Sequence, residues 1–183
     1  MQDEQSLVHR AQQGDEEAFA QLYENHFDKI YRYVTLRIGN KTEAEDMTQQ
    51  VFLKVLQSIT SFKWRGIPFS AWLFRIAHNQ VVDYLRKQTK QATSPLNESL
   101  VSSNSNLQLM AEHKLDIEQL ISATKRLTEA QRQVISLRFA GELPVAQVAE
   151  VMGKSQWAVK ALQHSAIVAL RKTLRVGEDS EKR

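Results

Sequence analysis

A polar stretch near the middle of the chain limits the folds that this sequence can adopt. Residues 88–111 contain Ser, Asn, Thr, Gln and Pro95 where the flanking segments have periodic apolar residues. Such a composition is typical of a linker. It divides the 183-residue chain into two segments that are both close to the smallest size that folds independently. We therefore predict two small domains, residues 1–90 and 112–175, with a flexible linker at 91–111 and a tail at 176–183.

Both segments carry the pattern of α-helices. Apolar residues recur at three- and four-residue spacing in each, and the whole chain has only six glycines and three prolines. The sequence therefore predicts an all-α protein. Expected helix caps are Asp15, a capping box at residues 42–45, a second box at residues 128–131, and Ser155. Gly39 is predicted to end a helix in the left-handed conformation.

The composition excludes several classes of function. The chain has no cysteine, which removes disulfides and thiolate sites, and it has no apolar run of about 18 residues that could cross a membrane. Its N-terminus lacks the features of a signal peptide. No metal-ligand cluster, phosphate-binding glycine loop or nucleophile–base pair is present. We expect a cytoplasmic protein that has no metal, cofactor or small-molecule substrate and is not an enzyme.

Charge is distributed unevenly along the chain. Residues 60–90 hold six basic residues and one acidic residue, and residues 124–175 hold nine basic and three acidic residues. Acidic residues exceed basic ones before, between and after these blocks. Two separate basic blocks favour contact with a polyanion at two places, which is typical of nucleic-acid binding.

The first basic block, residues 61–86, combines cations with aromatic residues. Phe69, Trp72, Leu73 and Ile76 have the spacing of an inward face. The opposite side is predicted to carry Arg75, His78, Asn79, Val82 and Arg86. One interpretation is a core helix with a solvated basic side. The other is a surface on which cations hold phosphates and aromatic rings stack on unpaired bases. From this stretch alone the two interpretations are equally supported.

The preceding helix also has two faces. Its buried side is predicted to consist of Ala44, Met47, Val51, Phe52, Val55, Leu56 and Ile59. Asp46, Gln49, Gln50 and Lys54 lie on the opposite side. They form either a solvated surface or a docking face for a partner.

Residues 143–172 have the layout of a helix-turn-helix. A short helix is followed by a turn at Gly153 and Lys154 and then by a longer helix that Ser155 can cap. In this motif the second helix lies in the major groove, and its first side chains meet base edges. Gln156, Lys160, Gln163 and His164 are predicted on the exposed arc, with Arg171 further along. A plain helical hairpin is the alternative.

Three motifs together resemble the extracytoplasmic-function group of bacterial sigma-70 factors. They are AEDMTQQVFLKV at 44–55, FSAWLFRIAHNQVVDYLRK at 69–87, and LPVAQVAEVMGKSQWAVKALQH at 143–164. The resemblance implies a region 2 domain that docks on RNA polymerase and melts the −10 promoter element. It also implies a region 4 domain that reads the −35 duplex. The implied partners are core RNA polymerase, promoter DNA and an anti-sigma factor.

The resemblance also implies a role for particular residues. Those matching the polymerase-docking motif are Asp46, Gln49, Gln50 and Lys54. Those matching the single-stranded −10 site are Phe62, Lys63, Trp64, Arg65, Arg75, Asn79 and Asp83. Those matching the −35 recognition helix are Ser155, Gln156, Trp157, Lys160, Gln163 and His164.

The sequence departs from the family pattern in both domains. Gln50 stands where the family often has Glu, which removes one charge from the docking face. The recognition helix has Leu162, Ser165 and Ile167 where Arg is common, so its contribution from phosphate contacts is expected to be weaker. Trp157 occupies a position that is normally small.

Two other classes of protein share some of these features. A stand-alone helix-turn-helix regulator would bind palindromic duplex DNA as a dimer without polymerase. An adaptor would bind polymerase without reading DNA. Promoter-specific transcription with core polymerase distinguishes both from a sigma factor.

Overall fold

The fold is known from a computed structural model that describes residues 4–92 and 121–181, with side chains at 4–90 and 121–173. Its regular elements are helices, as predicted. They are α1 (Glu4–Gln12), α2 (Glu16–Ile38), α3 (Lys41–Ser58), α4 (Phe69–Ala92), α5 (Glu129–Ile135), α6 (Val145–Met152) and α7 (Gln156–Glu181). A 3₁₀ turn, Ile59–Ser61, follows α3, and a π-helical turn, Ser136–Ala140, follows α5.

Two predicted segments lie wholly or largely beyond the described parts. The linker at 91–111 falls outside them except for residues 91 and 92, which end α4. The helical pattern predicted for residues 112–120 also lies outside them. At the C-terminus α7 continues to Glu181, past residue 174, where the sequence pattern predicts its end. Within 4–92 and 121–181, no helix combines the length and the apolar character needed to cross a membrane.

Local capping fixes the ends of the N-terminal helices. The Asp15 side chain accepts a hydrogen bond from Ala18 N (3.0 Å), and Gly39 ends α2 with a φ of 79°. The capping box predicted at residues 42–45 is wrong. After the left-handed glycine the chain is extended at Asn40, whose Oδ1 accepts from Glu43 N (3.3 Å) and caps α3 instead.

The C-terminal caps follow the sequence closely. Thr128 and Gln131 form the predicted capping box, in which each side chain accepts a hydrogen bond from the other residue's backbone amide. Gly153 ends α6 with a φ of 61°. Ser155 Oγ accepts from Ala158 N (3.2 Å) and caps α7. These contacts give the helix-turn-helix its sharp turn.

The four N-terminal helices pack around a core of fully buried side chains that includes Ile30, Val34, Val51 and Leu73. Burying such side chains stabilises the fold by about 1.5–3 kcal/mol each. Leu56 was predicted in this core and is instead 50% exposed. Met47, Val51 and Val55 repeat every four residues and define the buried line of α3. Leu56 lies about 100° beyond Val55 around the helix, outside the arc that α2 and α4 cover.

The two halves of the chain pack directly on each other. Helix α2 contacts the turn 136–140, and α4 contacts α6. Phe74 and Val81 of the N-terminal half belong to one buried cluster with Leu137, Val148 and Val159 of the C-terminal half. The predicted domains therefore share a continuous core.

One glycine lies at a close contact between the halves. A Cβ on Gly141 would lie 2.7 Å from Phe74 Cε1 and 2.8 Å from the Leu137 carbonyl oxygen. Because Gly141 has no side chain, the C-terminal half can sit against α4.

Candidate nucleic-acid and polymerase interfaces

A small pocket lies between α4 and the loop that precedes it, residues 62–67. We call it the loop pocket. Its volume is about 110 Å³, and the residues lining it include Phe62, Lys63, Ile67, Trp72, Arg75 and Glu150. Gln12 of α1 holds the start of the loop, since its Nε2 donates to the carbonyl oxygens of Ile59 (2.9 Å) and Phe62 (2.8 Å). These hydrogen bonds attach the start of the loop to α1.

Aromatic rings lie beneath and beside the loop pocket. The Phe62 ring centroid lies 5.1 Å from those of both Trp64 and Trp72 and 5.7 Å from that of Phe69. Phe62 and Phe69 are buried, whereas Trp64 is 39% exposed. The indole of Trp64 is therefore supported from beneath by Phe62 and open to solvent.

The structure brings only part of the predicted −10 set together at the loop pocket. Phe62, Lys63 and Arg75 line it, and Phe62 is a buried floor residue. Trp64 and Arg65 are exposed on the loop beside it. Asn79 and Asp83 are exposed one and two turns further along α4 from Arg75. They extend the exposed surface along α4 and do not line the loop pocket.

The polymerase-docking residues predicted from sequence all lie on one exposed side of α3. Asp46, Gln49, Gln50 and Lys54 are each exposed. Between and beyond them stand two large apolar side chains, Leu53 at 58% and Leu56 at 50% exposure. Neither leucine was predicted from the sequence as part of this surface. The signal was available, because residues 46, 49, 53 and 56 recur at three- and four-residue spacing and so form one stripe.

The exposed start of α7 carries most of the predicted −35 residues. Gln156, Trp157, Lys160 and His164 are exposed, and Trp157 reaches 79%. No acidic residue occurs between Gly153 and Thr173. Two predicted residues already have partners within the protein. Ser155 caps the helix, and Gln163 Oε1 accepts a hydrogen bond from Arg138 Nε (3.1 Å).

Ion pairs link the two halves. The buried guanidinium of Arg37 on α2 pairs with Glu129 at the start of α5. Glu142 pairs with Lys29 Nζ (3.0 Å) and with Arg32 Nη2 (2.7 Å), both on α2. Burial acts to raise the pKa of Glu129, but the hydrogen bonds and charge of Arg37 outweigh it and hold that pKa below its ordinary value. Hydrogen bonds from Lys29 and Arg32 likewise lower the pKa of Glu142.

A histidine beside the interface is not on the outer face of α4 where the pattern placed it. His78 is half-buried, and its Nδ1 lies 3.2 Å from the Tyr33 hydroxyl. Burial raises the pKa of Tyr33 to about 12. Burial and the nearby Arg37 charge lower the pKa of His78. Both side chains are therefore uncharged at neutral pH and belong to the core between α2 and α4.

These features define a two-part helical DNA-binding protein, and comparison with known proteins gives its family. Residues 22–91 match the family model of sigma-70 region 2, and residues 123–172 match that of sigma-70 region 4. The loop pocket and the exposed side of α3 fall in the first region. The helix-turn-helix falls in the second.

Curated relatives extend the similarity over most of the chain. The ECF RNA polymerase sigma factor SigW of Bacillus subtilis is 30% identical over 181 residues, which cover 92% of this chain and 95% of SigW. The ECF sigma factor BldN of Streptomyces coelicolor is 36% identical over 170 residues. That match covers 92% of this chain, which spans 64% of the length of BldN.

Solved structures share the fold. CnrH in complex with the cytosolic domain of CnrY has a TM-score of 0.73 at 24% identity, covering 93% of this chain and 96% of that one. The sigma factor RpoE from Bartonella quintana, in complex with the anti-sigma factor NepR, has a TM-score of 0.70 at 22% identity, covering 86% and 97%.

The chain belongs to the extracytoplasmic-function group of the sigma-70 family of RNA polymerase sigma factors. Sigma factors are non-catalytic subunits of RNA polymerase. They promote transcription initiation through region 2 at the −10 element and region 4 at the −35 element.

Proposed function

We propose that this sigma factor uses three separate surfaces: the loop pocket for unpaired −10 bases, the start of α7 for the −35 duplex, and the outer side of α3 for core polymerase. The observation that carries the proposal is the loop pocket, which has Lys63 and Arg75 in its lining, buried Phe62 as its floor and the exposed Trp64 beside it. Both partners, polymerase and promoter, place its activity in the cytoplasm. An anti-sigma factor is a further proposed partner.

The −10 surface is proposed to capture bases as the duplex opens. Lys63, Arg65 and Arg75 supply charge for the phosphate backbone, and Trp64 offers a stacking surface worth about 1–3 kcal/mol per base. Asn79 and Asp83 continue this surface along α4 with groups that can hydrogen-bond to bases. Captured bases offset the unstacking energy, which is a few kcal/mol per step.

The −35 surface is proposed to read the major groove through Gln156, Lys160 and His164 near the start of α7. A glutamine can pair with an adenine edge, and a lysine can bind guanine or phosphate. Trp157 presents an apolar ring suited to a thymine methyl. Ser155 and Gln163 already form hydrogen bonds within the protein. We therefore propose that they mainly hold the recognition helix in position.

The polymerase surface is proposed to combine a polar and an apolar part. Asp46, Gln49 and Gln50 supply hydrogen-bonding groups, with Lys54 beside them. Leu53 and Leu56 supply apolar area that is exposed in the free protein. Large exposed apolar side chains rimmed by polar groups are typical of protein interfaces.

Transcription with purified core polymerase tests the proposal. Adding this protein to core enzyme and a pool of genomic fragments is expected to produce transcripts with defined start sites. The absence of promoter-specific transcripts would overturn the proposal. Tight binding to palindromic duplex by a dimer, with no polymerase requirement, would support a stand-alone regulator instead.

The role of the loop pocket is tested by comparing duplex and pre-melted promoters. Trp64→Ala is expected to slow open-complex formation on duplex templates by about 10- to 100-fold, from the stacking energy lost. Asn79→Ala is expected to slow it by up to about tenfold, from a lost hydrogen bond to a base. Both should have a smaller effect on pre-melted templates. Trp157→Ala is the matched control, since a defect in −35 binding should affect both templates alike. Equal losses on both templates for the loop variants would contradict a melting role.

A further inference from the structure

We infer that Gln12, the last residue of α1, positions the loop pocket for the capture of unpaired −10 bases. Its role is indirect: its side chain fixes the backbone of Phe62, and the ring of Phe62 supports the indole of Trp64. This role rests on the function proposed for the loop pocket. It gives α1 a part in promoter opening, although α1 lies before the residues 22–91 that match sigma-70 region 2.

The amide of Gln12 holds both ends of the 3₁₀ turn between α3 and the loop. Its Nε2 donates to the carbonyl oxygen of Ile59 (2.9 Å), where the turn begins, and to that of Phe62 (2.8 Å), just after the turn ends. Both partners are acceptors, so only the NH₂ group can face them, and its two hydrogens supply one bond each. These bonds fix the direction in which the chain leaves α3.

Helix α1 is itself attached firmly to the N-terminal half. Leu7 and Val8 are buried in the core of that half. Near the start of the helix, Glu4 Oε1 lies 2.9 Å from Nε2 of His26 on α2. Because α1 is held by apolar packing and by this polar contact, the amide of Gln12 is a fixed point to which the loop is attached.

Phe62 transmits the position of its backbone to the aromatic side chains of the pocket. Its ring is 5% exposed and packs on Trp64, Trp72 and Phe69. The backbone at Phe62 is extended, with a φ of −67° and a ψ of 132°, and leads directly into the loop. A displaced Phe62 carbonyl would therefore move both this ring and the loop backbone that carries Trp64. The indole proposed to stack on a base would lose its position.

Three variants separate positioning from other effects. Gln12→Met removes the amide and keeps a side chain of similar length. Gln12→Glu keeps the shape and replaces the donating NH₂ group with an oxygen that repels both carbonyls. Gln13→Met makes the same change at the next residue and is the matched control. The amide of Gln13 is exposed and its Nε2 lies 3.2 Å from Nε2 of His9 on the same helix.

The first readout is the rate of open-complex formation by the polymerase complex on a duplex promoter mapped in the transcription assay. Gln12→Met is expected to slow it by about 3- to 10-fold, less than Trp64→Ala does, because the stacking ring is still present. Gln12→Glu is expected to slow it further, and Gln13→Met is expected to match the original chain. Affinity for core polymerase should be the same in all four proteins, since the exposed side of α3 is unchanged.

A double-mutant cycle distinguishes positioning from a general loss of stability. If Gln12 acts through the indole of Trp64, adding Gln12→Met to Trp64→Ala should slow open-complex formation no further. Two independent effects would instead multiply. The rates are measured at a temperature at which circular dichroism shows every variant to be folded. If Gln12→Glu does not fold, Gln12→Met carries the test.

The outcomes distinguish this inference from the proposed function. Open-complex rates of the Gln12 variants equal to that of the original chain, together with a defect in Trp64→Ala, would overturn the positioning role alone. Multiplied losses in the double variant, or a matching loss of affinity for polymerase, would also overturn it. If Trp64→Ala opens duplex promoters as fast as the original chain, the function proposed for the loop pocket fails, and the role of Gln12 fails with it.

Discussion

At the scale of single residues, α3 carries two leucines that lie outside the core. Leu53 and Leu56 extend into solvent while Val51 and Val55, two and one residues before them, are fully buried. Because these side chains stay largely in solvent, they add little to the free energy of folding. Such residues are typical of a surface that is covered by a partner.

We expect Leu53→Ala combined with Leu56→Ala to weaken binding to core polymerase by about tenfold or more, because a leucine side chain that becomes fully buried contributes about 1.5–3 kcal/mol. Thermal unfolding of the free protein should change little, since surface substitutions are usually within about 0.5 kcal/mol. Binding is measured by fluorescence anisotropy with labelled protein. Val168→Ala, also on an exposed apolar residue, should leave it unchanged. If the double variant binds core polymerase as tightly as the original chain, the two leucines are not part of the interface.

At the scale of helices, α4 serves two purposes at once. Its inner face supplies Phe69, Leu73 and Phe74 to the core, while Arg75 and Asn79 point outward from the same turns. The sequence alone left core helix and nucleic-acid surface equally supported for this stretch. Both interpretations describe part of the molecule, because successive residues of a helix point in directions about 100° apart.

The contact between α4 and the turn before α6 depends on Gly141. We expect Gly141→Ala to destabilise the protein by about 1–3 kcal/mol, as overpacking does, and to increase the distance between labels on α2 and α7. Gly14→Ala is the control. Its φ of 88° makes alanine unfavourable by about 1–2 kcal/mol, but no atom lies within 4 Å of the added Cβ.

Chemical denaturation and spin-label distances separate the two variants. Both should lower the free energy of unfolding, and only Gly141→Ala should separate the halves. An unchanged distance in Gly141→Ala would mean that Phe74 moves aside and that the glycine does not control the approach.

At the scale of the whole molecule, two carboxyl groups connect pH to the arrangement of the halves. The pKa values of Glu129 and Glu142 lie below the ordinary 4.5 while the halves are packed, because both accept hydrogen bonds from cations of α2. In an open form these contacts are lost and the pKa values return toward 4.5. Closure is therefore fully favoured above pH 4.5 and weakens as pH falls through the lowered values.

We expect the distance between spin labels on α2 and α7 to stay constant from pH 7 to about pH 5 and to lengthen below pH 4.5. In the double variant Glu129→Gln, Glu142→Gln the lengthening at low pH should be smaller, because the two titrating carboxyl groups are absent. If the original chain and the double variant lengthen equally at low pH, groups other than Glu129 and Glu142 cause the change.

The sequence by itself determined the features that depend on neighbouring residues. Helices follow from apolar spacing, and the caps at Asp15, Thr128 and Ser155 follow from side chains that reach amides two or three residues away. The helix-turn-helix and the polar side of α3 are also local patterns. The capping box at residues 42–45 failed because Asn40, two residues earlier, satisfies the same amides.

Only the tertiary structure decided how the two halves meet. Arg37 and Glu129 are 92 residues apart in sequence, and Arg75 and Glu150 are 75 apart. Apolar periodicity records which face of a helix is buried and contains no information about which surface buries it. For that reason the close approach at Gly141 and the position of Glu150 in the loop pocket were not available from the sequence. They follow from packing contacts between distant segments.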